Sequence, residues 1–219
     1  MYVLKCLSTL LHAVPFTIVL LACIIGAGIW TKIYRGALSH HWIERFGFAP
    51  KDLWNARLEQ LFFSLFFTNN RRSFIQAIVL IVFAVGGMEW NAGTLRAALT
   101  FWGIHATTLI VLSFFIIFPL HKLKTTVGKE LALVKDVGPS AGYFGCLGFM
   151  TRPFPFPWPW LAAFLVLAGL LIYSFVPPRR DESFQVKRHA DWAHIIAFVL
   201  GVVAGILWPI KTVSWGFMQ

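Results

Sequence analysis

The sequence predicts an all-α fold: a polytopic membrane protein built as a bundle of six transmembrane helices, with a short fourth helix and an interfacial first loop, in a single domain over residues 1–219. Three observations predict it. Hydrophobic residues make up 58% of the chain and charged residues only 13%, where a soluble domain carries about 25% charged. Mean hydropathy is +0.72. The basic residues behind the net charge of +10 sit in short segments between apolar runs, several of them close to the ~20 residues that cross a bilayer. Basic residues placed this way point to anionic lipid headgroups as partners, and away from nucleic acid. Cys6, Cys23 and Cys146 are scattered without paired spacing, which excludes a disulfide framework and a zinc cluster.

The first expected span covers about 11–30. Its apolar part is too long for a signal peptide and no clear small-residue cleavage site precedes a polar mature region, so it reads as an anchor. Residues 36–66, "ALSHHWIERFGFAPKDLWNARLEQLFFSLFF", mix aromatics with charges. They read as one or two amphipathic helices lying in the interface, anchored by Trp42, Phe46, Phe48 and Trp54. The second span covers about 74–90, entered after Arg71 and Arg72, and the third about 95–120.

The fourth span, about 138–152, is the unusual one. The 13 residues from Ser140 to Arg152 rise only ~20 Å as a helix, against a hydrocarbon core of ~30 Å. Pro139 suits a first helical turn, Gly138 gives the chain room to turn before it, and the prolines of "TRPFPFPWP" stop the helix. The helix is therefore expected to start inside the membrane, where irregular backbone is tolerated only if protein buries it or water reaches it. That places Ser140 at the floor of a wet cavity. The fifth span covers about 158–176 and ends at Pro177 and Pro178; the sixth covers about 192–210.

Small residues tie two of these segments together. Gly138, Gly142, Gly145 and Gly148 recur every three or four positions in the fourth, and Ala193, Ala197, Gly201 and Gly205 recur every four in the sixth. Smooth faces of this kind let helix backbones approach closely in lipid. If the two faces meet, Ser140 and His194 come to one contact. A serine hydroxyl becomes a nucleophile when a neutral imidazole takes its proton, so the pair points to acyl-transfer chemistry as well as to packing. His105 is a second intramembrane histidine. "HADWAH" also offers His189, Asp191 and His194 as metal ligands, but His189 and Asp191 read better as loop residues at the mouth of the sixth span, so no metal is expected. No H-E-x-x-H, P-loop or G-x-G-x-x-G is present.

These residues resemble the rhomboid superfamily of intramembrane serine proteases. Its nucleophile motif, G-x-S-G followed by an aromatic and glycines, is matched in "GPSAGYFGCLG" by Gly138, Ser140, Phe144, Gly145 and Gly148. Its histidine motif, A-H-x-x-G-x-x-x-G, is matched in "AHIIAFVLG" by Ala193, His194 and Gly201. Its G-x-x-E-x-x-x-G is matched by Gly86, Glu89 and Gly93 in the exact frame, or by Gly87 and Gly93 with Glu89 one step early. The resemblance covers about residues 40–210. It departs at Ala141 and Ala197, where the family has glycine, and more seriously in the second span. There the family's H-x-x-x-H-x-x-x-N falls on Asn69, Ser73 and Ala77. The second His and the Asn of that motif help hold the oxyanion; Ser73 has one hydrogen bond to give and Ala77 none. Asn69, Asn70 and Gln76 are the candidate substitutes.

The resemblance implies a serine endopeptidase that cuts transmembrane protein substrates, with Ser140 as nucleophile and His194 as base. It implies Phe144 against the imidazole, Gly138 and the Ser140 backbone at the oxyanion site, and no cofactor. The alternative is a catalytically inactive relative that binds membrane-protein clients. A small transporter ranks lower, because the spans hold almost no charge besides Glu89. The loops at 31–73, 121–136 and 177–191 hold 15 of the 19 Lys and Arg, which by the positive-inside rule faces the cytoplasm. The resemblance puts that same side, the mouth of the site, away from it.

Overall fold

The computed structural model describes residues 12–152, 157–178 and 183–208. Leu11 of the first expected span, prolines 153 and 155, and residues 209–210 of the sixth lie outside them. Among the described residues ten helices follow one another: α1 Pro15–Thr31, α2 His40–Phe46, α3 Pro50–Trp54, α4 Glu59–Phe63, α5 Arg71–Ala92, α6 Thr94–Lys122, α7 Thr126–Leu133, α8 Ser140–Phe149, α9 Trp158–Ser174 and α10 Phe184–Leu207. Among the described residues there is no strand, only the isolated bridges Ala37–Asn70 and Phe48–Asp136. Among the described residues three helices, α5, α6 and α10, are long and apolar enough to cross a membrane, which marks the chain as a membrane protein. The apolar α1 and α9 are shorter, at 17 residues each.

Local chemistry sets where these helices start and stop. Pro15 opens α1, and the backbone N–H groups of Phe16 and Thr17 each donate 2.8 Å bonds to the carboxylate of Glu89 on α5. The Thr17 hydroxyl donates a third, at 2.7 Å. A helix start has unsatisfied N–H donors and a positive dipole end, so a buried carboxylate there is doubly favoured. Asn70 caps α5 by accepting from the Ser73 N–H at 2.9 Å. Gly93, at φ +86°, makes the turn from α5 to α6. Both α5 and α6 widen to π-helical geometry, over Ile81–Gly86 and Leu112–Ile117.

α8 is the central helix. Its ten residues rise only ~15 Å, and it packs most closely on α10 and next on α6. A Cβ on Gly201 would run into the Gly145 carbonyl, and one on Gly148 into the Phe198 carbonyl. Gly142 and Gly145 also turn toward α6, where a Cβ would meet the Phe101 ring and the Ile104 side chain. The main core lies around this helix, with Ile24, Ile81, Met88, Phe101 and Phe149 almost fully enclosed.

Two expectations are corrected. α10 begins at Phe184, eight residues before the expected start, because Ser183 caps it by accepting from the Val186 N–H and because Lys187 and Asp191 pair across one turn. His189 and Asp191 are therefore buried helical residues and not loop residues. In the first loop, Phe48 lies in the core at 1% exposure, where an interfacial anchor was expected. That loop folds as three short helices, α2 to α4. Trp30, Trp42, Phe46 and Phe67 form a continuous aromatic stack along it, with ring centroids 4.5–5.8 Å apart.

Candidate functional site

The approach of α8 to α10 runs in parallel. Gly145 meets Gly201 and Phe149 meets Gly205, so Ser140 at the start of α8 falls level with His194 on α10. A cavity of about 300 Å³ opens at that level, between α5, α8, α9 and α10, and Ser140 and His194 both line it. The Phe144 ring, one turn along α8, packs on the imidazole with centroids 4.6 Å apart and planes at 39°. No hydrogen bond joins Ser140 to His194 in this arrangement, and both side chains are partly open to the cavity.

The turn that delivers Ser140 requires glycine. Gly138 has φ +151°, and its N–H bonds to the Ser64 carbonyl at 3.0 Å. Pro139 follows as the N-cap of α8. The N–H groups of Ser140, Ala141 and Gly142 have no acceptor within the helix, as at any helix start, and of these residues Ser140 lines the cavity.

The second-span residues are placed as follows. Ser73 lines the cavity with its hydroxyl uncommitted, while its N–H serves the Asn70 cap. Asn69 also lines it; its amide nitrogen donates one of its two N–H groups to Asp136 Oδ1 at 2.9 Å, which anchors the side chain there. Gln76 is exposed on the cavity side of α5. Ala77 is 1% exposed and offers no polar atom. Gly142, Gly145, Gly148, Ala197 and Gly201 are packing residues, with Ala197 fully buried beside Ile104 and Ala141.

Three charged residues at the site were not singled out by sequence reasoning as belonging to it. Asp136, four residues before Ser140, lines the cavity. Burial pushes its carboxyl up, but His189, the Asn69 amide and the Val137 N–H together outweigh this and hold it below the usual carboxylate range. Lys187 pairs with Asp191 and also donates to the Tyr173 carbonyl at 3.1 Å, tying α10 to the end of α9. The i, i+4 spacing of Lys187 and Asp191 was the available signal for that pair; Asp136 carried none. Among the described residues no three His, Cys, Asp or Glu side chains gather as a metal site. No known family, curated protein or solved structure matches the chain, so its own geometry is what any functional reading rests on.

Proposed function

We propose that the chain is an intramembrane serine protease of rhomboid type, a six-span bundle made by α1, α5, α6, α8, α9 and α10, that cleaves transmembrane protein substrates. The observation that carries this reading is the meeting of Ser140 and His194 at one polar cavity, from two helices locked by glycine contacts. Ser140 Oγ attacks the scissile carbonyl and passes its proton to His194. His194 then protonates the leaving amine, and later takes a proton from the water that hydrolyses the acyl intermediate. The free N–H groups at the start of α8 and the Ser73 hydroxyl supply the oxyanion donors. The pair lacks a hydrogen bond at rest, as catalytic pairs in unliganded enzymes often do. Acyl transfer by this route needs no cofactor.

α9 gives the substrate a way in. It buries only Pro159 and packs mainly on α10, so its separation from α5 disturbs little. A groove along α5, lined by Arg72, Ile75, Gln76 and Val79, continues the cavity toward the lipid on that side. Basic residues on the first loop would grip anionic headgroups around the mouth.

A second reading, a client-binding protein without catalysis, is favoured by one observation: buried Ala77 has no donor where the rhomboid motif has one. A fluorophosphonate probe separates the two. The purified protein should be labelled, and Ser140→Ala should abolish the label. A folded wild type that never labels and never cuts a model transmembrane substrate would falsify the protease reading and leave client binding.

A further inference from the structure

His189 is 1% exposed, and neither of its ring nitrogens has a hydrogen-bond partner. An orphaned buried polar group costs about 1–3 kcal/mol, so its retention calls for a reason. The polar atom it faces is Asp136 Oδ2, 3.6 Å from Nδ1. Asp136 is itself firmly held. Its Oδ1 accepts from Asn69 Nδ2 at 2.9 Å and from the Val137 N–H at 2.8 Å, and its backbone exchanges two 2.9 Å bonds with Phe48. Asp136 is thus fixed to the first loop by its backbone and to the residues just before α5 by its carboxylate, with one carboxylate oxygen left for α10.

The positions matter more than the contact. Asp136 precedes Ser140 by four residues, and His189 precedes His194 by five, about 7.5 Å along the helix axis. On the other side of the site, Gly145 and Gly201 lock the same two elements backbone to backbone. The working level therefore lies between two attachments, an apolar one beyond it and a charged one before it. The segment ahead of Ser140 is also joined to α10 further back, through α7, where Leu131 and Ala132 pack with Ala193 and Gln185 bonds to Glu130; Asp136 with His189 is the attachment nearest to Ser140 in sequence.

We propose that Asp136 and His189 are positioning residues, a charged strut that sets the register of Ser140 against His194. The inference rests on Ser140 and His194 being the working pair. His189 does not line the cavity, so it acts through Asp136 and not on the substrate. Closing the 3.6 Å gap brings the nucleophile loop and the base helix together, and lengthening it draws them apart.

The test has two arms, and one of them needs no catalysis. In a background with Cys6, Cys23 and Cys146 replaced by alanine, Ser140→Cys and His194→Cys are oxidised to a disulfide and the rate of cross-linking is followed. His189→Leu or Asp136→Asn should slow it about tenfold, since small misplacements carry large rate effects. His189→Gln, which keeps a donor toward Asp136, should recover part of the rate. In the second arm, the maximal rate of fluorophosphonate labelling in the otherwise native protein should fall about tenfold in each single variant with half-saturation unchanged. The Asp136→Asn, His189→Leu double variant should match the singles, as expected for two ends of one contact. Unchanged cross-linking in variants that melt as wild type overturns the strut. If the wild type never labels, the protease reading fails and the cross-linking arm alone decides. If His189→Leu does not fold, His189→Gln and Asp136→Asn decide by the same rates.

Discussion

Ser140 and His194 were legible as residues because each carries a local pattern, glycine and proline before one and small residues spaced by four around the other. Asp136 and His189 were not legible, because their meaning comes from facing each other across the fold and no spacing records that. The first pair is expected to behave as one unit: Ser140→Ala and His194→Ala should each remove nearly all cleavage of a model substrate, and the double variant little more. Ser140→Ala should keep the wild-type melting temperature, since it removes one oxygen. Cleavage surviving Ser140→Ala would show that the nucleophile is another residue. Asp136 makes a separate prediction in pH. Its folded carboxyl lies below the ordinary 3.8, so the unfolded chain takes up the proton first on acidification. Its contribution to stability is then complete above that value and is lost as pH falls through the folded one. Melting temperature should therefore fall more steeply below about pH 4 in the wild type than in Asp136→Asn; parallel curves would count against a stabilising role for the charge.

Helices were legible where apolar length or a breaker marks them, and less so where polar contacts extend them. Residues 158–174 follow from the apolar run alone. α10 could not be started from hydropathy, because its first turns are "FQVKRHAD" and are held by a serine cap and a buried ion pair. The same is true of the α1 terminus, whose carboxylate comes from Glu89, 73 residues away from Phe16. Glu89→Ala should strip three donors of their acceptor and cost about 3 kcal/mol, read as a lower midpoint in detergent titration. Glycines divide by what surrounds them. A Cβ at Gly148 meets the Phe198 backbone, which has nowhere to go, so Gly148→Ala should cost about 1–3 kcal/mol. Gly169 on α9 has nothing within 4 Å, and there alanine should add about 0.5–1 kcal/mol by stiffening the helix. Equal effects at the two positions would mean that α8 and α10 are not in backbone contact.

At the scale of the whole molecule, the loops that carry the charge gather at one end, and it is the end where the cavity opens. Lys135 bonds to the Glu44 carbonyl at 2.6 Å and pairs with its carboxylate at 2.9 Å, joining the first loop to the segment before α8. Gln185 reaches Glu130 at 2.8 Å, joining α10 to α7. Ser140 and His194 stand just inside this basic end. Two expectations then conflict. Loop charge of this density favours the cytoplasmic side, whereas the rhomboid resemblance implies a mouth facing away from the cytoplasm. The charge argument weakens where a basic residue is already neutralised within the fold, and the pairs of Arg57 with Asp52, Lys135 with Glu44 and Lys187 with Asp191 do that for three of them. Among the described residues Arg35, Arg45, Arg71 and Arg72 have no carboxylate within salt-bridge distance, and Arg35 and Arg45 lie over the Tyr34 and Phe46 rings, so all four remain available to topology. The balance of free charge predicts a cytoplasmic cavity mouth. On the proposed six-span arrangement both termini would lie on the opposite side, so a reporter fused after Gln219 should report a non-cytoplasmic position. A cytoplasmic reporter would reverse the orientation, and would mean that those arginines hold headgroups of the outer leaflet instead of setting the direction of insertion.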